Sequence, residues 1–585
     1  MMGLQINKKL LPMKFHYFLY NAGTGPVVAY LSSYARQLGF SSVVVGLIYT
    51  ILPVSGMLAK PLFGSIADRF HCHKQLFLVN QLVTAVTFLA IFYSPKIELN
   101  HSVDFSCQNS ELTFSTYMAG NLDKCTMEQI KKDETIKQCQ MNCKVDANLT
   151  SLLCDEWKLK EYCDPPYAES LPFTAYVPKS KMTAIRQKDG SIVSFGISNI
   201  TFENNTITEA KCQGSSMFTT CVLECDDYDI MQMVTKPAIA DSDAYNMYQF
   251  WFFLAFMILM WVSMAITVSI GDAICFELLG DEPGKYGYQR LFGSLGWGFI
   301  AAITGVLIDL FSKGKAEKDY TIAFYMGASF LVLDFVISSR VQHKQTRMSS
   351  NILRDIGKWL LNARIIVFLL WCVAVGMCTG LIWNFLYWLL EDLAASKGCD
   401  AKAHIKTLQG LVQAVQCLGG EVPFLFLSGR ILKKIGHENT MSLILLGLGC
   451  RLVLHSLVTN PWLTLPVELF NGLTFGLAFA CMASYASIVA PPGTEATVQG
   501  MVGAVFEGIG VSLGSTVAGL SYNKYGGSLT FRYFGFSSFI LCIVHVAAQY
   551  VIKVRESQTT QYSPPKKTLE KIKAADHQEL TFFQL

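Results

Sequence analysis

Residues Trp251 to Ile270 read WFFLAFMILMWVSMAITVSI, twenty positions without one Asp, Glu, Lys or Arg. A helix of that length crosses the roughly 30 Å of hydrocarbon in a bilayer at about 1.5 Å per residue. Working outward, comparable runs lie near 15–35, 42–66, 74–94, 247–277, 291–311, 320–339, 364–390, 407–429, 440–458, 462–489, 497–520 and 531–552. One such run fits the core of a large soluble protein; a dozen do not. The 585-residue chain is 51% hydrophobic and 16% charged, poorer in charge than a soluble domain, and its net charge of +3 offers no case for nucleic acid. The expected fold class is an all-α polytopic membrane protein of twelve helices in two six-helix halves.

The start, Met1 to Leu11, is polar and basic, so the first span is expected to insert the chain itself. Twelve spans put both termini on one side. Arg69, Lys74, Arg340, Lys344, Arg347, Arg354, Lys358, Arg364, Arg430, Lys433, Lys434 and the tail from Lys553 mark that side as cytoplasmic. Lys313, Lys315, Lys318, Lys397, Lys402 and Lys406 fall in outer loops, so the bias is not absolute.

The expected divisions are 1–94 (spans 1–3), an extracellular insert over 95–246, 247–340 (spans 4–6), a cytoplasmic linker over 341–363, 364–552 (spans 7–12) and a disordered cytoplasmic tail over 553–585. In the linker, Ile352, Ile356, Trp359 and Leu360 give one side of an interfacial helix. The insert holds nine of the eighteen cysteines: Cys107, Cys125, Cys139, Cys143, Cys154, Cys163, Cys212, Cys221 and Cys225. That density points to disulfides in an oxidising compartment, with the odd member free or paired to another chain. Cys139 with Cys143, or Cys221 with Cys225, also has a metal-ligand spacing, but lacks His at ligand spacing, so no metal is expected. Asn100, Asn148, Asn199 and Asn204 each open an Asn-x-Ser/Thr glycosylation acceptor.

Between the second and third spans runs Gly64-Ser65-Ile66-Ala67-Asp68-Arg69-Phe70-His71-Cys72-His73-Lys74. It resembles the Gly-x-x-x-Asp-Arg-x-Gly-Arg-Arg loop of the major facilitator superfamily, departing where His71 and Cys72 replace Gly and Arg. Gly64, Asp68 and Arg69 are therefore expected to form a gating loop. Gly429-Arg430-Ile431-Leu432-Lys433-Lys434-Ile435-Gly436-His437 resembles a degenerate second copy without the acidic residue. The string from Leu279-Gly280-Asp281-Glu282-Pro283 to Gly293-Ser294-Leu295-Gly296-Trp297-Gly298, with Gly419-Gly420-Glu421-Val422-Pro423-Phe424, resembles the branch containing major facilitator superfamily domain-containing protein six. That branch is similar to the lactose and nucleoside proton symporters. By itself, the Gly293–Gly298 run reads as small residues that let the fifth span pack closely on a neighbour.

Ionisable residues inside spans persist when buried, paired or used. Glu421, Arg451, His455, Glu468 and Glu507 in the second half, with Asp272 and Glu277 in the fourth span, are the candidates for proton coupling or ion pairing. A purely structural ion pair, a snorkelling Arg451 and a neutral, satisfied His455 are the bland readings. Lys60 can neutralise a carboxylate or anchor at the interface, and Arg290 reads as a surface anchor. Tyr17, Tyr20, Asn21, Trp383, Asn384, Tyr387, Gln409, Gln413, Gln416 and Asn471 are candidate cavity-lining residues, whose amides and rings suit a neutral hydrogen-bonding solute or an organic cation.

The expected function is secondary active transport of a small polar or organic solute by alternating access, coupled to protons, in the plasma membrane, with endosomal or lysosomal membranes as alternatives. A cell-surface receptor or chaperone-like protein binding an extracellular protein through the insert is the rival reading. No enzyme motif and no cofactor site is present: the sequence has no phosphate loop, no His-Glu-x-x-His and no nucleophile pattern.

Overall fold

The computed structural model describes residues 9–560 apart from 96–100, 109, 120–133, 160–162, 164–168, 187–189, 203–204, 209–211, 213–217, 235–244, 280–285, 314, 316, 342–361 and 491–494. Its long helices are α1 Leu11–Gln37, α2 Ser42–Phe70, α3 His73–Phe92, α4 Tyr248–Leu279, α5 Tyr286–Phe311 and α6 Thr321–Ser338. The second half continues with α7 Ala363–Lys397, α8 Ile405–Ile435, α9 His437–Leu457, α10 Pro461–Val489, α11 Gly500–Tyr525 and α12 Gly527–Thr560.

Eleven of these, all but α1, are both long and apolar enough to cross a membrane. α1 is long enough at 27 residues but carries Lys14, His16, Asn21, Thr24, Ser32, Ser33 and Arg36. It packs along α5 and α6, and His16, Thr24, Ser32 and Ser33 are buried against protein rather than lipid. α12 runs on to Thr560, so the residues just after Lys553 are helical, not a disordered tail. The interfacial helix read in the linker, the Gly280–Lys285 stretch and the tail beyond Thr560 lie outside the described residues.

Local chemistry sets the ends. Ser41 Oγ accepts from the Val44 N–H to cap α2, and Asn362 Oδ1 accepts from the Arg364 N–H to cap α7. Gly436 and Gly526, with φ of 83° and 77°, make the tight turns into α9 and α12 in the left-handed region that glycine tolerates.

The halves meet along α2–α11 and α5–α8. At Gly46 an added Cβ would lie 2.7 Å from the Ser515 carbonyl oxygen, and at Gly305 it would lie 2.2 Å from that of Lys406. Only glycine permits that approach. In the run read as a packing surface, Gly296 lies against the Phe18 carbonyl of α1 and Gly298 against Cys417 and Leu418 of α8.

The described part of the insert is mainly a β-sheet, with short helical segments at Ala147–Ser151, Leu152–Glu156 and Tyr228–Val234. Nine strands, β1 Ser102–Gln108, β2 Glu111–Ala119, β3 Ile136–Lys144, β4 Ser170–Pro178, β5 Met182–Arg186, β6 Gly190–Gly196, β7 Asn199–Thr201, β8 Thr206–Ile207 and β9 Phe218–Cys225, form one antiparallel sheet ordered β5-β6-β2-β1-β9-β3-β4-β7-β8. Its own core gathers Phe105, Phe114, Phe173, Phe195 and Leu223 on one face. Cys139 pairs with Cys225 and Cys143 with Cys221, directly opposite across β3 and β9. Among the described residues, Cys107–Cys212 and Cys154–Cys163 are the other pairs within the insert. The two spacings that also fitted metal are therefore cross-strand disulfides. Cys125 lies outside the described residues. Cys399, between α7 and α8, is disulfide-bonded too, so the odd insert count omitted an oxidised cysteine elsewhere in the chain.

By the alternation of the twelve helices, the end of α3 and the start of α4, between which the insert runs, lie at one end, and the start of α1 and the end of α12 at the other. These ends are called the insert side and the terminal side.

Candidate functional site

The second half holds a buried charge cluster where α8, α9 and α10 meet. Glu468 is fully buried and accepts from Arg451 Nη2 and, at 2.6 Å, from Gln416 Nε2. His455 Nε2 stands 2.7 Å from Glu468 Oε1, an ion-pair distance without hydrogen-bond alignment. Arg451 is 1% exposed and does not snorkel, because Nη1 also donates to Asn471 Oδ1 at 2.8 Å and Thr474 Oγ1 at 2.9 Å. Asn471 Nδ2 in turn donates to Glu421 Oε1 at 3.2 Å, and Ser294 Oγ of α5 donates to Glu421 Oε2 at 3.3 Å. The chain of bonds thus runs from the first half into the core of the second.

Three wide π-helical turns, Val415–Glu421 in α8, Gly472–Gly476 in α10 and Ala504–Val511 in α11, carry Gln416, Glu421, Thr474 and Glu507. Such turns re-aim side chains that a regular helix would point elsewhere. Gly419, Gly420, Gly472, Gly476, Gly508 and Gly510 in these turns are their sequence trace.

A second cluster, missed in the sequence, joins the halves at the insert side. Arg36 of α1 pairs with Asp392 at 2.6 Å and Glu391 at 3.6 Å, with its guanidinium 4.7 Å over the Trp388 ring. Tyr522 donates to Asp392 at 2.6 Å. Lys406, which the sequence placed in an outer loop, is 2% exposed in the first turn of α8, bonded to Glu391 and Gln409 and flanked by the Tyr30 and Tyr320 rings. Asp309 of α5 accepts from the backbone of Lys406 and Thr407 and from Lys318. The Glu391-Asp392 doublet ending the seventh span was the available signal. On α2 and α11, a Cβ on Gly64, Gly500 or Gly503 would meet nothing within 4 Å.

A third cluster, also unforeseen, is His16 with Asp334: Nδ1 lies 2.9 and 3.0 Å from the two carboxylate oxygens, both residues are buried, and Ser338 donates to Asp334. His16 sits one residue before the Tyr17 singled out for the cavity.

Tyr17 is buried and donates to Asp272, which Arg290 clamps at 2.8 Å, so Arg290 is a partner rather than a surface anchor. Tyr20 donates to the Met264 carbonyl and Asn21 to that of Tyr17. Asn384 donates to Ser515, Tyr387 to the Gln409 carbonyl, and Gln413 accepts from Trp297 at 3.0 Å. Trp383, 45% exposed, meets the Phe475 ring. Lys60 and Glu507 pair across the halves at 3.3 Å. Arg69 lies over the Phe70 ring. Asn199 sits on β7. The side chains of Asp68, Glu277 and Asn148, and residues Asn100 and Asn204, lie outside the described set. Among the described residues, no group of His, Cys, Asp and Glu is arranged to hold a metal.

A family model described as the MFS_1 like family matches residues 10–533. Major facilitator superfamily domain-containing protein 6-like protein A of Xenopus laevis is 21% identical over 554 residues, 89% of this chain and 87% of the relative. Among solved structures, nucleoside transporter NupG aligns with a TM-score of 0.55 at 13% identity over 92% of this chain and 99% of that one. A D-xylose-proton symporter gives 0.51 at 9% identity over 92% and 96%. These two likenesses carry the fold alone.

Proposed function

The chain belongs to the MFS_1 like family, and from that membership we propose that it is a proton-coupled secondary transporter of a small polar or organic solute. That it is a multi-pass membrane transporter of the major facilitator type follows from the family and from eleven apolar helices. Coupling to protons and the choice of solute are the further reading.

The observation that carries the coupling is the contrast between two carboxylates. Glu468 is held by Arg451, His455 and Gln416, so its charge is balanced in place. Glu421 accepts hydrogen bonds from neutral donors, Ser294 and Asn471, and among the described residues no cation lies within salt-bridge distance of it, although the Arg451 and Arg290 charges act on it from farther away. Ser294 belongs to the other half, so movement between the halves makes or breaks one of the two bonds that steady the Glu421 carboxylate. That ties a proton on Glu421 to the direction in which the cavity faces.

Disulfides support an extracellular or lumenal insert and cytoplasmic termini, with the plasma membrane as the site of action. In that orientation the Arg36–Asp392 and Lys406–Glu391 cluster joins the halves at the outer end. Amides in the central helices, Asn384, Gln409, Gln413, Gln416 and Asn471, favour a hydrogen-bonding solute, and the carriers whose fold the chain shares are a nucleoside transporter and a D-xylose-proton symporter.

The test is uptake of labelled sugars, nucleosides and organic cations by expressing cells at acidic and neutral external pH, beside Glu421→Gln. Acid-stimulated uptake lost in the variant supports the reading; equal pH dependence in both overturns it. The disulfide-bonded sheet, with a hydrophobic core of its own, favours one rival, a receptor for an extracellular protein. That rival predicts partner binding by a chain with Glu421, Arg451 and Glu468 all neutralised.

A further inference from the structure

The chain has eighteen cysteines. Eight are joined in four pairs inside the insert, and eight others, all outside it, are free thiols. Cys399 is disulfide-bonded, yet it lies outside the insert, in the turn between α7 and α8. A disulfide needs two sulfurs. With the four pairs and the eight thiols set aside, Cys125 is the one other cysteine left in the sequence. Position agrees with the count. Gly398, at φ 121°, ends α7 and turns the chain into the short helix Cys399–Ala403 on the insert side. Cys72, in the terminal-side turn between α2 and α3, is a free thiol, as a cysteine facing a reducing cytosol would be. Outside the insert, the bonded cysteine is therefore the one whose turn shares the compartment of the insert.

We infer that Cys399 is bonded to Cys125, so that a disulfide joins the insert, which belongs to the first half, to the second half at the α7–α8 turn. As the bond forms, the two thiols lose two protons and two electrons, and the electrons pass by thiol–disulfide exchange to an oxidising protein disulfide of the secretory pathway, which leaves as a dithiol. The Arg36–Asp392 pair and the bond from Lys318 to the Ala403 carbonyl also join the two halves at this end, but both can part and re-form. The disulfide parts only when reduced. Its reach is short: Cys125 follows the end of β2, Ala119, by six positions, which span at most about 21 Å at about 3.5 Å per residue. A disulfide adds roughly 6 Å between Cα atoms, so the end of β2 stays within about 27 Å of Cys399 however the halves move. Because β2 pairs with both β1 and β6, that limit applies to the sheet as a body. The sheet is then tied to the first half through α3 and α4 and to the second half through Cys399.

Two measurements on the full-length protein test the link, and neither uses a solute, so its failure leaves the transport reading untouched. Trypsin cuts after Lys124, Lys131, Lys397 and Lys402, so the bond would hold the peptide Cys125–Lys131 to the peptide Gly398–Lys402. With free thiols blocked before extraction, mass spectrometry of the unreduced digest is expected to find the two joined, and a reductant to release both. The map is overturning if Cys399 carries the blocking group or is joined to any other cysteine. In the second measurement, a protease site placed in the linker over 341–363 cuts the chain between Cys125 and Cys399. On a denaturing gel the cut wild type is expected to run as one band without reductant and as two with it. Cys399→Ser and Cys125→Ser should each give two bands without reductant, whereas Cys154→Ser/Cys163→Ser should keep one. Two bands from the unreduced wild type, one band from either single variant, or an uncut chain at twice its own mass overturns the link. The peptide map needs no variant, so a misfolded one does not decide the outcome.

Discussion

Replacing Glu468 by Gln removes the one carboxylate that neutralises Arg451. The guanidinium then keeps Asn471 and Thr474, both neutral, in a site where Arg451 is 1% exposed. Breaking a buried pair by removing one partner costs about 3–5 kcal/mol. At about 1.4 kcal/mol per decade, that lowers the folding constant by two to more than three orders of magnitude. Arg451→Met is milder, about 2 kcal/mol on the scale of charged hydrogen bonds, because Glu468 keeps the Gln416 bond and has His455 at 2.7 Å. The double variant removes both charges and is expected to cost less than Glu468→Gln alone. Equilibrium unfolding in mixed micelles with rising SDS, followed by circular dichroism, gives the three values. A Glu468→Gln protein within about 1 kcal/mol of wild type, or a double variant that costs the sum of the singles, would refute the reasoning.

Asp392→Asn weakens the insert-side closure by loosening Arg36 and Tyr522, so a Tyr34→Cys reporter near that end should react faster with an impermeant thiol reagent. An unchanged labelling rate counts against the lock. Cys143→Ala/Cys221→Ala opens a cross-strand link between residues 78 apart in sequence, and a loss of about 2–5 kcal/mol should abolish surface display of the insert. For Asp227, burial pushes the carboxyl up, but hydrogen bonds from Lys179 and the Ile230 N–H, with the Lys179 and Lys137 charges, hold it below the usual range. Its contribution is therefore fully present above the unfolded value of about 4 and lost as pH falls through the lower folded value. Acid should sensitise the insert to pepsin below about pH 4 in the wild type, and Asp227→Asn should lose that step.

The helical part of the fold was legible because a membrane span must satisfy its backbone internally and face lipid with apolar side chains, as Trp251–Ile270 does. α1 was legible only by length, since protein rather than lipid surrounds its polar residues. Cysteine density alone does not reveal the sheet of the insert, whose trace in the sequence is the alternation of Leu171, Phe173, Ala175 and Val177 in β4. In the site, Arg451, His455 and Glu468 are met together because all are charged or ionisable residues far inside apolar spans. Arg36, Glu391, Asp392 and Lys406 escaped because they lie near span ends, where charge is the norm, and only the folded chain brings α1, α7 and α8 to one point. His16 and Asp334, 318 residues apart, have no sequence relation at all.

The central claim is that Glu421 carries the coupled proton. It is tested most directly in liposomes holding the purified protein and a pH-sensitive dye, with a gradient of the solute identified by uptake. The account predicts a solute-driven change of internal pH in the wild type and none with Glu421→Gln, which should still exchange solute for solute. A solute-driven pH change that persists in Glu421→Gln would contradict it.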